Sequence, residues 1–145
     1  MARRVRTVVA ERVRGSTPLP KRATRGSAGF DIAACEAVEL TRAKVTLVPT
    51  GWRLHAPRGT FLEVRPRSGL SSKGVLMVNA PGTIDRDYSG EVFVPLTYLF
   101  PGRYRIEPGD RIAQVRVVTD LPARFREGRV RPKASRTGGF GSTGR

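Results

Sequence analysis

Apolar residues recur along the chain in short β-type runs: Val5 to Val13, Val38 to Val48, Trp52 to His55, Phe61 to Val64, Val75 to Val78, Glu91 to Phe100, Tyr104 to Glu107 and Ile112 to Val118. Each ends at Gly, Pro or Asp, the residues that reverse a chain. With 16 glycines and 11 prolines spread along the sequence, no stretch keeps the apolar spacing of a helix. A single helical turn fits near Leu70 to Lys73. The pattern predicts an all-β fold, a distorted jelly-roll sandwich or barrel, with no internal repeat or second domain. Residues 1–120 make the β domain. Residues 121–145 form a C-terminal arm of the same domain: Leu121 to Arg136 is basic and poor in large apolar residues, and leads into Thr137-Gly-Gly-Phe-Gly-Ser-Thr-Gly144. Such a tail buries too little apolar surface to order alone.

Composition narrows the classes. A chain of 145 residues with 39% hydrophobic content buries a real core. No run approaches the roughly 18–20 consecutive apolar residues of a membrane helix, and no charged-apolar-small leader opens the chain. The expected location is cytoplasmic, or nuclear for a viral or eukaryotic source. Cys35 is the single cysteine, which rules out an intrachain disulfide and suits a small buried hydrophobe. His55, the single histidine, is expected to do no chemistry.

The net charge of +15 favours an anionic partner, nucleotide or nucleic acid. Its distribution argues against a nucleic-acid surface. Residues 1–25 carry eight basic groups and one acid, residues 124–145 seven and one, and the middle is nearly balanced. The excess lies at the two ends, without the interleaved aromatics of a stacking surface, so no stable nucleic-acid binding is expected.

Candidate chemistry gathers in five segments. Asn79-Ala-Pro-Gly-Thr-Ile-Asp85-Arg-Asp-Tyr88-Ser-Gly-Glu91 reads as a functional β-hairpin between Val75–Val78 and Val92–Val94, offering an amide, a carboxylate and a phenol to a small ring-containing ligand. The alternative is a surface turn that its Asn and Asp merely stabilise. In Ser27-Ala-Gly-Phe-Asp31, the acid either faces a metal ion through water or holds a turn. Pro66-Arg67-Ser68-Gly69-Leu-Ser-Ser-Lys73-Gly brings a guanidinium, hydroxyls and approachable backbone N–H groups together, a combination suited to phosphate. Gly109-Asp-Arg111-Ile-Ala-Gln114 carries an amide into a strand, where it is either functional or a surface Gln satisfied by water. In the tail, glycine admits phosphate oxygens, Ser142 and Thr143 offer hydroxyls and Phe140 is a lone aromatic, so the segment is either a lid that orders on ligand or a flexible end.

Taken in order, these five segments resemble the homotrimeric deoxyuridine triphosphate nucleotidohydrolases, the dUTPases, over about residues 16–144. The Asn79 to Asp85 wording is similar to bacterial members. The resemblance implies a jelly-roll trimer whose active sites draw on three subunits, with each C-terminal arm closing over a neighbour's site. It implies hydrolysis of dUTP to dUMP and pyrophosphate with Mg2+ on the triphosphate, which limits uracil incorporation into DNA and supplies dUMP for dTMP synthesis.

Residue by residue, the resemblance makes Asp85 the catalytic acid that deprotonates the attacking water, aided by Gln114. It puts Asn79, Gly82, Thr83, Ile84, Tyr88 and Phe140 around uracil and deoxyribose. Arg67, Ser68, Gly69, Gln114, Arg136, Gly141, Ser142 and Thr143 would bind phosphates, and Asp31 would support the metal through water. Two departures stand out: Ser135 replaces the usual tail Arg, leaving Arg136 or Lys133 to reach the γ-phosphate, and Thr83 replaces a plain apolar residue. The competing readings are a dCTP deaminase on the same fold, and a basic β-domain that binds nucleic acid or only signals.

Overall fold

The structure, a computed structural model, describes residues 5–131. Eleven strands follow one another: β1 (Val9–Arg12), β2 (Phe30–Ala33), β3 (Val38–Thr41), β4 (Thr46–Pro49), β5 (Trp52–His55), β6 (Thr60–Arg65), β7 (Val75–Met77), β8 (Gly82–Ile84), β9 (Phe93–Tyr98), β10 (Arg103–Ile106) and β11 (Arg111–Thr119). A single helical turn, α1 (Ser68–Ser71), separates β6 from β7. The chain is a distorted jelly roll. Its main sheet has the order β2-β11-β6-β8, a second has β4-β9-β7, and two-stranded ribbons pair β1 with β5 and β10 with β3.

Strand alternation places the core. In β6, Thr60, Leu62 and Val64 point inward while Phe61, Glu63 and Arg65 do not, the period-2 pattern of a sheet with one covered face. Ile32, Leu40, Val48, Leu62, Val75, Val94, Leu96, Ile106 and Ile112 are almost fully buried. Each such aliphatic contributes about 1.5–3 kcal/mol by leaving water.

Some expected boundaries change. The run Val38 to Val48 is two strands on different sheets, because the chain turns through Ala43 at φ 58° and Lys44 N–H donates to Thr41 O. The run Val5 to Val13 shortens to β1, where its pairing with β5 begins. The helical turn comes two residues earlier than expected, Arg67 O accepting from Leu70 and Ser71 N–H.

The largest correction concerns the hairpin. Strands β7 and β9 do pair antiparallel, Met77 opposite Leu96. Their connection is no tight turn, however: Gly82–Ile84 forms β8, which leaves that sheet and pairs with β6, Ile84 opposite Leu62 and Gly82 opposite Val64. Ile84 is buried and draws the segment down onto the core. The Asn79 to Glu91 segment therefore bridges two sheets.

Residues 121–131 form no helix or strand and are exposed. Among the described residues, no helix is long and apolar enough to cross a membrane.

Candidate active site

Strand β8 and the loop after it line a cleft of about 300 Å³, bordered by Asn79, Gly82, Thr83, Ile84, Asp85 and Tyr88 with Val64, Met77 and Val92. The structure thus brings together every residue expected near the base and sugar except Phe140, which lies outside the described residues. Gly82 sits in close quarters, since a Cβ there would meet Asn79 Nδ2 at 3.1 Å and Met77 Cε at 3.2 Å and would press on both side chains. Asp85 is exposed, and no ion pair among the described residues engages its carboxylate. A carboxylate left free in this way is available to take a proton.

A turn follows Asp85, whose carbonyl accepts from Tyr88 N–H at 3.1 Å. The Tyr88 hydroxyl donates to Glu91 O at 2.9 Å, folding the ring back over Gly90. A Cβ at Gly90 would stand 2.4 Å from that hydroxyl oxygen, so glycine alone fits beneath the ring.

The far end of the loop is tied to the core. Thr50 Oγ1 donates to Val92 O at 2.7 Å, Thr17 Oγ1 to Thr50 O at 3.2 Å, and Trp52 Nε1 to Thr17 Oγ1 at 3.2 Å. Val92 N–H in turn donates to Trp52 O at 2.8 Å. Thr17 and Thr50 are buried, and these bonds satisfy hydroxyls that would otherwise be costly there.

A second recess, of about 140 Å³, is lined by Ser27, Gly29, Asp31, Arg67, Ser68, Gly69 and Gln114. All the phosphate-binding candidates within the described residues converge here. Arg67 is aimed by two contacts: its Nε donates to Asp31 Oδ1 at 3.1 Å and its Nη1 to Arg111 O at 3.0 Å. The other Asp31 oxygen faces Arg111 Nη1 at 3.3 Å. Of the two roles open to Asp31, the turn is excluded, for the residue lies in β2 opposite Gln114 and holds two guanidinium groups. Gln114 packs against Gly29, where a Cβ would meet its Oε1 at 2.9 Å.

Arg136, Gly141, Ser142 and Thr143 lie outside the described residues. His55 is exposed on β5 and borders a groove with Glu11 and Arg53 that adjoins the cleft, since Tyr88 lines both. Cys35 is buried, and burial pushes its thiol pKa up. Sequence reasoning missed Arg14, Glu91 and Arg111 as supporting residues. Glu91 closes the chemical segment, but its partner Arg14 is far away in the chain, a pairing no local pattern announces.

The family model for dUTPase matches residues 16–144, nearly the whole chain. The chain belongs to the dUTPase family. It is 46% identical over 130 residues to the deoxyuridine 5'-triphosphate nucleotidohydrolase of Desulfotalea psychrophila, covering 87% of each chain. Its fold is similar to a mutant dUTPase of Staphylococcus bacteriophage 80alpha with dUpNHpp (TM-score 0.82, 24% identity, 95% of this chain and 98% of that one). It is also similar to a mutant dUTPase of phage phi11 of S. aureus, a structure that reveals the coordination of a structural Mg(II) ion (TM-score 0.77, 21% identity, 84% of this chain and 96% of that one).

Proposed function

We propose that the protein is a dUTP diphosphatase, a hydrolase that converts dUTP and water to dUMP and pyrophosphate. The observation that carries this reading is the uncommitted Asp85 carboxylate beside Asn79, Gly82 and Tyr88 in one cleft of a dUTPase-family chain. In the proposed step, a water oxygen bonds to the α-phosphorus while the bond from that phosphorus to the oxygen leading to the β-phosphate breaks. Asp85 accepts the water's proton, and pyrophosphate leaves. Gln114 helps hold water and phosphate, and Arg67, Ser68 and Gly69 receive phosphate oxygens. Arg67 suits that task because Asp31 and Arg111 hold its Nε and Nη1 and so orient the guanidinium plane.

Selectivity follows from the cleft. Asn79 and the backbone of Gly82, Thr83 and Ile84 read the uracil edge, where cytosine would leave buried groups unpaired. Thymine's methyl adds volume where Gly82 already packs on Asn79 and Met77. The Tyr88 ring lies along the sugar and leaves no room for a ribose 2′-hydroxyl. In the arm, Phe140 covers the base while Arg136, Gly141, Ser142 and Thr143 take the terminal phosphates, closing the site against water.

The residues fit magnesium only as an ion carried on the substrate's phosphates. Among the described residues no three acids, histidines or cysteines cluster to hold one, and both Asp31 oxygens face guanidinium groups. Asp31 would therefore meet the ion through water, as suits a cation that keeps several of its waters. When bound, Mg2+ screens the triphosphate charge.

A homotrimer with shared sites completes the reading. The base-and-sugar cleft and the phosphate recess of one protomer are distinct openings with no lining residue in common, and in the proposed trimer a site joined across subunits would unite one protomer's cleft with a neighbour's recess. Leu47, Phe93, Leu76 and Val78 expose an apolar area on the β4-β9-β7 side, the kind of surface that associates.

The test is pyrophosphate release from dUTP, dTTP, dCTP and UTP, with and without Mg2+. Turnover of dUTP alone, dependent on Mg2+, is expected. Ammonia from dCTP, or salt-sensitive DNA binding without turnover, would contradict it.

A further inference from the structure

Resting on the reading of Tyr88 as the wall of the sugar pocket, we propose that Arg14 is a positioning residue for sugar selectivity, acting through Glu91 on the Tyr88 ring. Arg14 follows β1 and is 77 positions from Glu91 in the chain. Its Nε lies 3.0 Å and 2.9 Å from the two Glu91 carboxylate oxygens, and its Nη2 lies 2.9 Å from Oε2. Gly51 N–H donates to Glu91 Oε1 at 2.9 Å. Only 14% of the Glu91 side chain is exposed, so its charge depends on these partners rather than on water. Bonds of this kind, with both groups charged, are about twice as strong as neutral ones.

The clamp is itself built into the fold. Val13 N–H donates to Gly51 O at 2.9 Å, and a Cβ on Gly51 would lie 2.3 Å from Arg14 O. The next residue, Gly15, has φ +67° and its Cβ position would fall 2.7 Å from Cys35 Cβ. The backbone that carries the guanidinium is therefore pinned on both sides. A second pair, to Glu36, and the Phe93 face at 5.5 Å further limit where the guanidinium can go.

Glu91 links this clamp to the site. Its side chain is gripped by Arg14 and Gly51, while its backbone carbonyl accepts the Tyr88 hydroxyl at 2.9 Å. Tyr88 is 47% exposed and so takes little of its orientation from burial. The hydroxyl bond to Glu91 O is what holds the ring over Gly90, and the peptide that accepts that bond is held from two sides, by Val92 N–H on Trp52 O at 2.8 Å and, through the Glu91 side chain, by the Arg14 fork. A ring free to swing would readmit a 2′-hydroxyl.

The test compares kcat/KM for dUTP and UTP in Arg14→Gln, Arg14→Lys, Glu91→Gln, Tyr88→Phe and Tyr88→Ala. Arg14→Gln is expected to reduce the dUTP preference roughly 10-fold, Arg14→Lys to restore part of it, and Arg14→Gln combined with Tyr88→Phe to add nothing beyond Tyr88→Phe. If Arg14→Gln does not fold, Arg14→Lys and Glu91→Gln read the same ratio. Lower thermal stability with unchanged preference in the Arg14 and Glu91 variants would make the clamp merely structural and overturn the inference. Should Tyr88→Ala lower the preference while those variants do not, the inference alone fails. Should Tyr88→Ala leave it unchanged, the sugar-wall reading fails first.

Discussion

The two recesses stand on different floors, although an ion pair, Arg14 to Glu91, also borders the first. The base-and-sugar cleft stands on a floor of buried hydrogen bonds, Trp52 to Thr17 to Thr50 to Val92, with Ile84 packed into the core beneath it. The phosphate recess is held by ion pairs that join Asp31 to Arg67 and Arg111 at the edge of the main sheet. The difference suits what each is proposed to recognise. A nucleobase is told from its neighbours by shape and by hydrogen bonds that cannot shift, which calls for a rigid base. Phosphate is bound by charge, which tolerates adjustment and is weakened by salt.

The comparison can be broken at several points. The largest effect is expected at the tip of the braced side: Asp85→Asn should keep nucleotide binding and lower kcat about 10²–10⁴-fold, the range of a lost general base. Near-normal single-turnover rates would remove the carboxylate from its role. On the charged side, Arg67→Lys keeps the charge but loses the fork, so kcat/KM should fall on the order of 10–100-fold. Asp31→Asn should fall less, with the difference from wild type shrinking as salt screens the pairs that the variant lacks, which steady-state rates across an ionic-strength series would show.

Gly90→Ala separates cleft geometry from stability. The added methyl displaces an exposed ring, so KM for dUTP should rise several-fold while the unfolding free energy changes by less than about 1 kcal/mol. Equal losses in both, by kinetics and denaturant titration, would mean that the ring supports the fold rather than the ligand. The smallest effect concerns Cys35, which packs under the braced side against the Gly15 and Gly51 positions. Burial raises its pKa and keeps it a thiol at neutral pH, so iodoacetamide should label the folded protein at least ~10-fold more slowly than the unfolded chain. Fast labelling would show that the floor opens.

Much of this was legible along the chain. The apolar run Phe61 to Val64, the Asn79 to Glu91 segment and the Arg67-Ser68-Gly69 block announce strands and polar chemistry by residue type alone. What stayed hidden depends on pairing at long range. Gly82-Thr-Ile84 carries turn residues and becomes a strand only because β6 offers an edge and Ile84 finds the core. The break at Ala43 has no Gly or Pro to mark it and arises because β3 and β4 pair with different sheets. That Asp31 grips Arg67 and Arg111 is invisible along the chain, because only folding brings the two guanidinium groups beside it. The roles expected of Arg136, Phe140, Gly141, Ser142 and Thr143 lie outside the described residues and rest on resemblance.

The central claim is that the Asp85 of one protomer works on phosphates held by the Arg67 of another. Subunit complementation tests it most directly: Asp85→Asn and Arg67→Ala proteins, each inactive on dUTP, are refolded together and assayed. Sites joined across subunits predict recovery to about a quarter of wild-type activity, since random mixing in a symmetric oligomer leaves that share of sites intact. Mixed oligomers that form yet stay inactive would contradict the account.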